Sequence, residues 1–461
     1  MKFVFSTLII FVSAFTLSCA SGSKKSSSGS DFEMRKYREQ VLPNGLTLIL
    51  IEDASLPKVT LSMVFKTGVM QQGTLPGLNS LTSELLERGT ERKSAKTIAD
   101  DFGQLGTALS IAPNEDYVQI SSTALSQNAS SLLEVFSDVI LNPLFSEAEL
   151  QKLKAEMSSR IKQEADNPSV VIDRAFAKYL YGTHPYGQAA TLASVAKIRR
   201  ADVIRHHSRY FRPNNAYLAV VGNYSHEFVT QVVATFGAWE SRTIEKQTSQ
   251  PLAESKFKKL QLVSKPGLQQ SQIAMGHLGI KRDDPDFLAL RTGGLILGGA
   301  FASRLNQKIR DDLGLTYNIR ASFEPGLDRG TFEIRTFTRQ EQTTDVIVET
   351  KKVIQEFVDK GITEKELAAA KALLIGQFPG SVETPEMLAA RLVALRVYGI
   401  GDEYLKNFLD LVNALTVEQV NAAMKKHLHP ENIQVVVYGN EQAMPASLGK
   451  TFSVEKSTYA P

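Results

Sequence analysis

The strongest constraint on the fold is a repeat. Pro213-Asn214-Asn215-Ala216-Tyr217-Leu218-Ala219-Val220-Val221-Gly222-Asn223 closes the first half of the chain. Pro430-Glu431-Asn432-Ile433-Gln434-Val435-Val436-Val437-Tyr438-Gly439-Asn440 closes the second. A helical pattern precedes each. Ile198 and Val203 in the first, and Leu415 and Val420 in the second, stand at equal distances from their prolines. Chance could supply a Val-rich strand ending in Gly-Asn twice. It would less easily supply helix, proline, asparagine and strand in register. At 461 residues the chain has room for two domains. The repeat therefore predicts two homologous α+β domains in tandem, each a mostly antiparallel sheet packed with helices. Their expected limits are 37–240 and 257–461, joined by a polar linker over 241–256.

The first half supports this reading. After the turn signal Pro43-Asn44-Gly45, Leu46–Ile51 is an apolar strand-like run. Val59, Leu61, Met63 and Phe65 alternate with other residues as the next strand, and Val118–Thr123 reads as another. A helix follows from about Leu78, with Leu81, Leu85 and Leu86 on its apolar face. Ser146 with Glu149 makes a capping box before a long helix carrying Leu150, Leu153, Met157 and Ile161. A further helical stretch runs from about Val170 to Leu180.

The N-terminus is of another kind. Lys2 precedes FVFSTLIIFVSAFTLSCA, an apolar run of secretory-signal length and short for a membrane span. It ends at Cys19, the chain's single cysteine, so disulfides play no part in the body. Leu17-Ser18-Cys19-Ala20 resembles a bacterial lipobox, although Thr16 stands where that pattern prefers leucine. This makes residues 1–19 a lipoprotein-type signal peptide with Cys19 as the lipidation site. Residues 20–36, rich in serine and glycine, form a flexible tether. An ordinary signal peptide with an incidental cysteine is the alternative. The expected place is the periplasm, by a lipid anchor in a bacterial membrane. Ala20 and Ser21 after the cysteine point to the outer membrane by resemblance to sorting rules. With 52 Lys+Arg against 49 Asp+Glu, no nucleic-acid footprint is present.

The stretch Leu297–Tyr317, LGGAFASRLNQKIRDDLGLTY, holds the candidate site. Gly298 and Gly299 open it. Ala302, Leu305 and Ile309 make one apolar helical stripe. Gly314 stands where a helix C-cap would. Leu315, Tyr317, Ile319, Ala321 and Phe323 then alternate as a strand. Arg310 would thus end a helix and Tyr317 begin a strand, across one glycine turn, with guanidinium and phenol aimed at one point. The plainer alternative is an exposed arginine and a half-buried strand tyrosine.

Together these features resemble the insulinase/pitrilysin-type zinc peptidases, in the branch of the mitochondrial processing peptidase and its bacterial relatives. The matching residues are PNGLTLIL, Gly77-Leu78 with Gly89-Thr90, Asn142-Pro143-Leu144-Phe145, Asn167-Pro168, His184-Pro185-Tyr186-Gly187 and the Gly298–Tyr317 stretch. The resemblance spans about Tyr37 to Asn440 and implies two such domains per chain, closing in pairs around a peptide. Active members carry H-x-x-E-H on the first helix, two imidazoles one turn apart for zinc and a glutamate to polarise water. Counted back from Gly89-Thr90, those places hold Ser80, Ser83 and Glu84, and the further acidic ligand falls at Arg160. The resemblance therefore implies no catalytic residue, metal or other cofactor in this chain. The seven histidines, His184, His206, His207, His226, His277, His427 and His429, lack metal-ligand spacing and read as surface or capping residues.

The same resemblance assigns Arg310 and Tyr317, with Gly298 and Gly299 beside them, to substrate binding. It implies a non-catalytic, substrate-binding subunit of a heterodimeric zinc metallopeptidase acting on peptides. Zinc would sit in a homologous partner subunit carrying H-x-x-E-H. A structural or assembly scaffold, or a peptide-binding lipoprotein without proteolysis, is the alternative. Cys19→Ser should release the protein from membranes or stall its processing. Fractionation of the variant with membranes, as the parent does, would refute the anchor.

Overall fold

A computed structural model of the protein describes residues 34–245, 251–253 and 256–459. The expected signal, Cys19, most of the tether and part of the linker lie outside the described residues. Two six-stranded sheets organise the body. The first uses β1 (Arg38–Val41), β2 (Thr47–Glu52), β3 (Lys58–Phe65), β4 (Ser110–Pro113), β5 (Val118–Leu125) and β6 (Ala216–Gly222) in the order β1-β2-β6-β3-β5-β4. The second uses β7 (Leu260–Ser264), β8 (Gln270–Leu278), β9 (Ile319–Glu324), β10 (Thr331–Arg339), β11 (Gln434–Gly439) and β12 (Val454–Thr458) in the order β12-β7-β11-β8-β10-β9. Apart from the first strand of each order, the two are the same sheet twice. In both, the Val-rich strand closing the repeat pairs parallel with one neighbour and antiparallel with the other. The fold is two tandem α+β units with mostly antiparallel sheets.

Helices cover the inner face of each sheet, as the apolar stripes require. Ser146 caps the helix Glu147–Glu164 by accepting from the Glu149 N–H, and Leu150, Leu153, Met157 and Ile161 are buried. The second face of each sheet is also covered, by a helix from the other half. Helix Pro168–Tyr181 places Val171, Ile172 and Phe176 against Val263, Ala274, Val436 and Tyr438 of the second sheet. Helix Pro385–Val397 lies along β6 and β2 of the first. This exchange explains why the β3 alternation expected from sequence is incomplete. Val64 is buried alongside Val59, Leu61, Met63 and Phe65, since both faces are covered.

Polar contacts reinforce the exchange. Tyr186 Oη donates to Asp116 Oδ1 at 2.5 Å, and Leu327 N–H donates to the other oxygen at 3.1 Å. Lys58 pairs with Glu386 at 2.8 Å, and Arg396 with Glu39 at 2.8 Å. Asp116 is buried, and desolvation pushes its carboxyl up despite these donors.

The two outer edges equivalent in the repeat differ. β4 has four residues and ends in Pro113, whereas β9 has six and no proline. Proline cannot donate to a ladder and is confined to such edges.

Phe176, 1% exposed, is an apolar side chain that the first half buries against the second half's sheet. Phe176→Ala should lower the unfolding free energy by about 3–5 kcal/mol. A denaturant titration unchanged from the parent would mean that this contact does not hold the halves.

Candidate functional site

The site candidates of the second half fall on the approach to β9. Leu295–Gly299 is a π-type helical turn, not a loop. A Cβ on Gly298 would lie 2.5 Å from the Ala321 Cβ and 2.7 Å from its nitrogen, so glycine here lets the helix touch β9. A second π-type segment, Asn306–Asp312, carries Arg310. Such segments are rare and recur at functional positions. Leu305 and Ile309 anchor it in the core, but Ala302 is exposed and precedes the helix. Gly314, at φ +60°, turns the chain back.

Tyr317 does not begin the strand, because β9 starts at Ile319. The hydroxyls of β10 explain the difference. Thr338 Oγ1 donates to Leu315 O at 2.6 Å, and Thr336 Oγ1 donates to Asn318 O at 2.9 Å. Thr316 Oγ1 donates to Phe337 O at 2.6 Å. Side-chain hydroxyls thus take up the backbone groups that a ladder would use, and the Tyr317 ring is thrown outward to 79% exposure. The half-buried strand tyrosine is therefore not what the fold contains.

The Arg310 guanidinium lies 4.5 Å from the centre of the Phe301 ring and 5.7 Å from that of Tyr317. Both distances are within cation–π range. Phe301 is 75% exposed. Its role was not read from the sequence, although an aromatic just after Gly-Gly-Ala is the signal. The one ion pair of Arg310 among the described residues, to Asp311 at 3.7 Å, is long. Arg310, Tyr317, Gly298, Gly299 and Phe301 line one cavity of about 450 Å³. Tyrosine and arginine held by aromatic stacking, with donors left over, form a surface suited to peptide carbonyls or carboxylates.

The degenerate metal positions lie in the first half. Ser80 is half-buried. Ser83 is fully buried and donates to Asn79 O one turn back at 2.7 Å. Arg160 reaches across from the helix Glu147–Glu164 to Glu84, at 3.1 and 3.3 Å from its two oxygens. One turn along, Arg88 forks onto Glu156 at 2.8 and 3.4 Å. Zinc does not fit this set. It offers two hydroxyls and a carboxylate already held by a guanidinium, against the imidazoles and free carboxylates that zinc requires.

The histidines differ from the surface reading at three places. His206 and His277 are buried, and so is His184, although it does cap, with Nδ1 accepting the Tyr186 N–H at 3.2 Å. His206 Nε2 is 3.1 Å from Asn79 Oδ1, and burial pushes its pKa down to about 4, so it is neutral at pH 7. His277 accepts the His429 N–H at 3.2 Å. Asp284, Asp286 and His427 come close enough for a cation, but Lys426 Nζ already sits 2.7 Å from Asp286 Oδ2. That ammonium, with His427, holds the Asp286 carboxyl below its ordinary range.

Both halves of the chain match known proteins. Residues 47–191 match the family model described as insulinase (peptidase family M16). Residues 197–374 match the one described as peptidase M16 inactive domain. The chain is 30% identical to the peptidase M16 inactive domain from Pseudomonas fluorescens, with a TM-score of 0.82 over 88% of this chain and 99% of that one. It is 24% identical over 406 residues to the uncharacterized zinc protease YmxG of Bacillus subtilis, covering 87% of this chain and 98% of that protein. The periplasmic protease PqqL of Escherichia coli has the same fold at 17% identity and a TM-score of 0.74, where 89% of this chain covers 47% of that longer one.

The purified chain should carry no stoichiometric zinc after gel filtration. Elemental analysis near one zinc per chain would refute the reading of Glu84 and Arg160 as a closed ion pair.

Proposed function

The chain belongs to the insulinase family of peptidases (peptidase family M16), and we propose that it is the non-catalytic, substrate-binding subunit of a two-chain zinc peptidase, lipid-anchored at Cys19 and facing the periplasm. The observation that carries this reading is a contrast within one chain. The metal position holds a hydrogen-bonded ion pair, Glu84 with Arg160. The peptide position holds an arginine and a tyrosine that converge on an open cavity. A pure scaffold has no use for Phe301 and Tyr317 standing out in solvent on either side of a guanidinium.

In this reading the partner is a homologous subunit that carries H-x-x-E-H and brings the zinc. The chain's own residues bind and orient. Arg310 donates charge-assisted hydrogen bonds to a peptide carbonyl, and Tyr317 supplies a second donor. β9 has a strand on one side and none on the other, so an extended peptide can pair along it. The doubled length of PqqL relative to this chain supports a pairing of two such bodies.

The test is reconstitution with the zinc-bearing subunit, followed by kinetics on an unstructured peptide. Arg310→Ala should lower kcat about 10²–10³-fold if its donor serves the developing oxyanion, and Tyr317→Phe should lower it in the same direction. Both variants should still co-elute with the partner. Cleavage at the parent rate by both would transfer the chain to the scaffold class.

A further inference from the structure

A larger cavity, of about 660 Å³, adjoins the one at Arg310, and Gly299 and Arg320 line both. Its first wall is β9. Arg320, Ala321, Ser322, Phe323 and Glu324 all line it, inward-facing and outward-facing residues alike. A cavity that meets consecutive residues of a strand runs along the strand's edge, not over one face. The opposite wall comes from the helices around Arg291, Leu374, Arg391 and Tyr404.

The charge in this cavity is one-sided. Arg282, Arg291, Arg320 and Arg391 line it, against the single carboxylate of Glu324. None of the four arginines makes an ion pair among the described residues, although most arginines elsewhere in the fold do. Arg282 and Arg291 are half-buried, 3.8 Å from the Phe287 ring centre and 5.6 Å from that of Phe408 respectively. Burial lowers the proton affinity of both. The neighbouring Tyr404 oxygen partly offsets this for both, while the charge of Arg291 acts against Arg282 and that of Arg391 against Arg291. The Tyr404 hydroxyl, buried on the same wall, completes no hydrogen bond of normal geometry. Arg282 and Arg291 are half-buried with no carboxylate beside them, and the exposed Arg320 and Arg391 add to the same local positive charge, an arrangement that opposes folding unless something else uses it. Their planar donors fit carboxylates in pairs.

We propose that this arginine-lined slot is a specificity subsite that takes the carboxylates of an extended acidic peptide lying along β9. The proposal rests on the peptide-binding reading above and adds the substrate class. The backbone of such a peptide would pair with the strand edge near Arg310 and Tyr317, while its carboxylates reach Arg291 and Arg391. Chain-wide charge balance conceals this, because the excess is local.

The test needs neither partner nor cleavage. Fluorescently labelled peptides of one sequence would be titrated into the whole chain at low salt, with polarisation as the readout. The set comprises an internal-Glu peptide with an amidated terminus, its Gln counterpart, and the Gln peptide with a free terminal carboxylate. The Glu peptide should bind at least about tenfold tighter than its Gln counterpart, with the preference shrinking as salt rises. The third peptide tells whether a terminal carboxylate serves as well as a side chain. Arg391→Gln, at an exposed position, should abolish most of the preference while leaving the Gln peptide's affinity unchanged, and Arg291→Gln should repeat the result. Equal binding of Glu and Gln peptides by the parent would overturn the subsite and leave the peptide-binding reading intact. Binding of neither would remove both. A preference that survives in both variants would overturn the subsite.

Discussion

Everything in this body depends on an exchange of helices between two copies of one architecture. The second face of each sheet carries an apolar strip, Ile49, Ile51, Ala219 and Val221 in the first and Val263, Ala274, Val436 and Tyr438 in the second, that cannot be left bare in water. Each half covers one face with its own helices and the other with a helix lent by its twin. Val171, Ile172 and Phe176 on one side, and the Pro385–Val397 helix on the other, are the reciprocal loans. Burying aliphatic and aromatic side chains of this size is worth roughly 1.5–3 kcal/mol each. The contacts at Asp116, Tyr186 and Leu327 then fix one relative position, because a buried carboxylate tolerates few alternatives once its donors are placed.

The ion pairs of the first half fit inside the same frame without disturbing it. A zinc site brings charge into the space between two helices. Here the space holds Glu84 with Arg160 and Arg88 with Glu156, two rungs that tie the first helix and its continuation to the helix starting at Glu147. These pairs are partly exposed, so their net contribution is modest. What they do is engage the carboxylates of Glu84 and Glu156 with guanidinium groups. The first half thus carries cross-helix ion pairs where the second carries the π-type segments Leu295–Gly299 and Asn306–Asp312.

Much of this was legible in the sequence. Strand periodicity and the Pro/Gly-Asn punctuation were enough for the duplicated α+β plan, since both depend on local spacing. Ser80, Ser83, Glu84 and Arg160 came from another source, the resemblance to the zinc peptidases, by counting back from Gly89-Thr90 and along the later helix. What could not be read was anything settled by tertiary packing. The helix Pro168–Tyr181 looked amphipathic, but periodicity does not say whose sheet an apolar stripe covers. His206 and His277 looked like surface residues, and only neighbouring elements bury them. Tyr317 looked like the start of a strand, until three threonine hydroxyls took over the backbone it would have paired with. Arg282, Arg291, Arg320 and Arg391 are scattered over a hundred positions and share a wall only after folding.

The unequal edges of the two sheets carry a consequence for how copies of this molecule meet one another. A duplicated fold with two equally receptive edges could stack head to tail without limit, each copy templating the next. β4, short and ending in Pro113, makes a poor template, while the equivalent β9 is longer and free of proline. Between these two equivalent edges the symmetry of the duplication is broken, because β9 presents an unbroken row of backbone groups where β4 is cut short by Pro113.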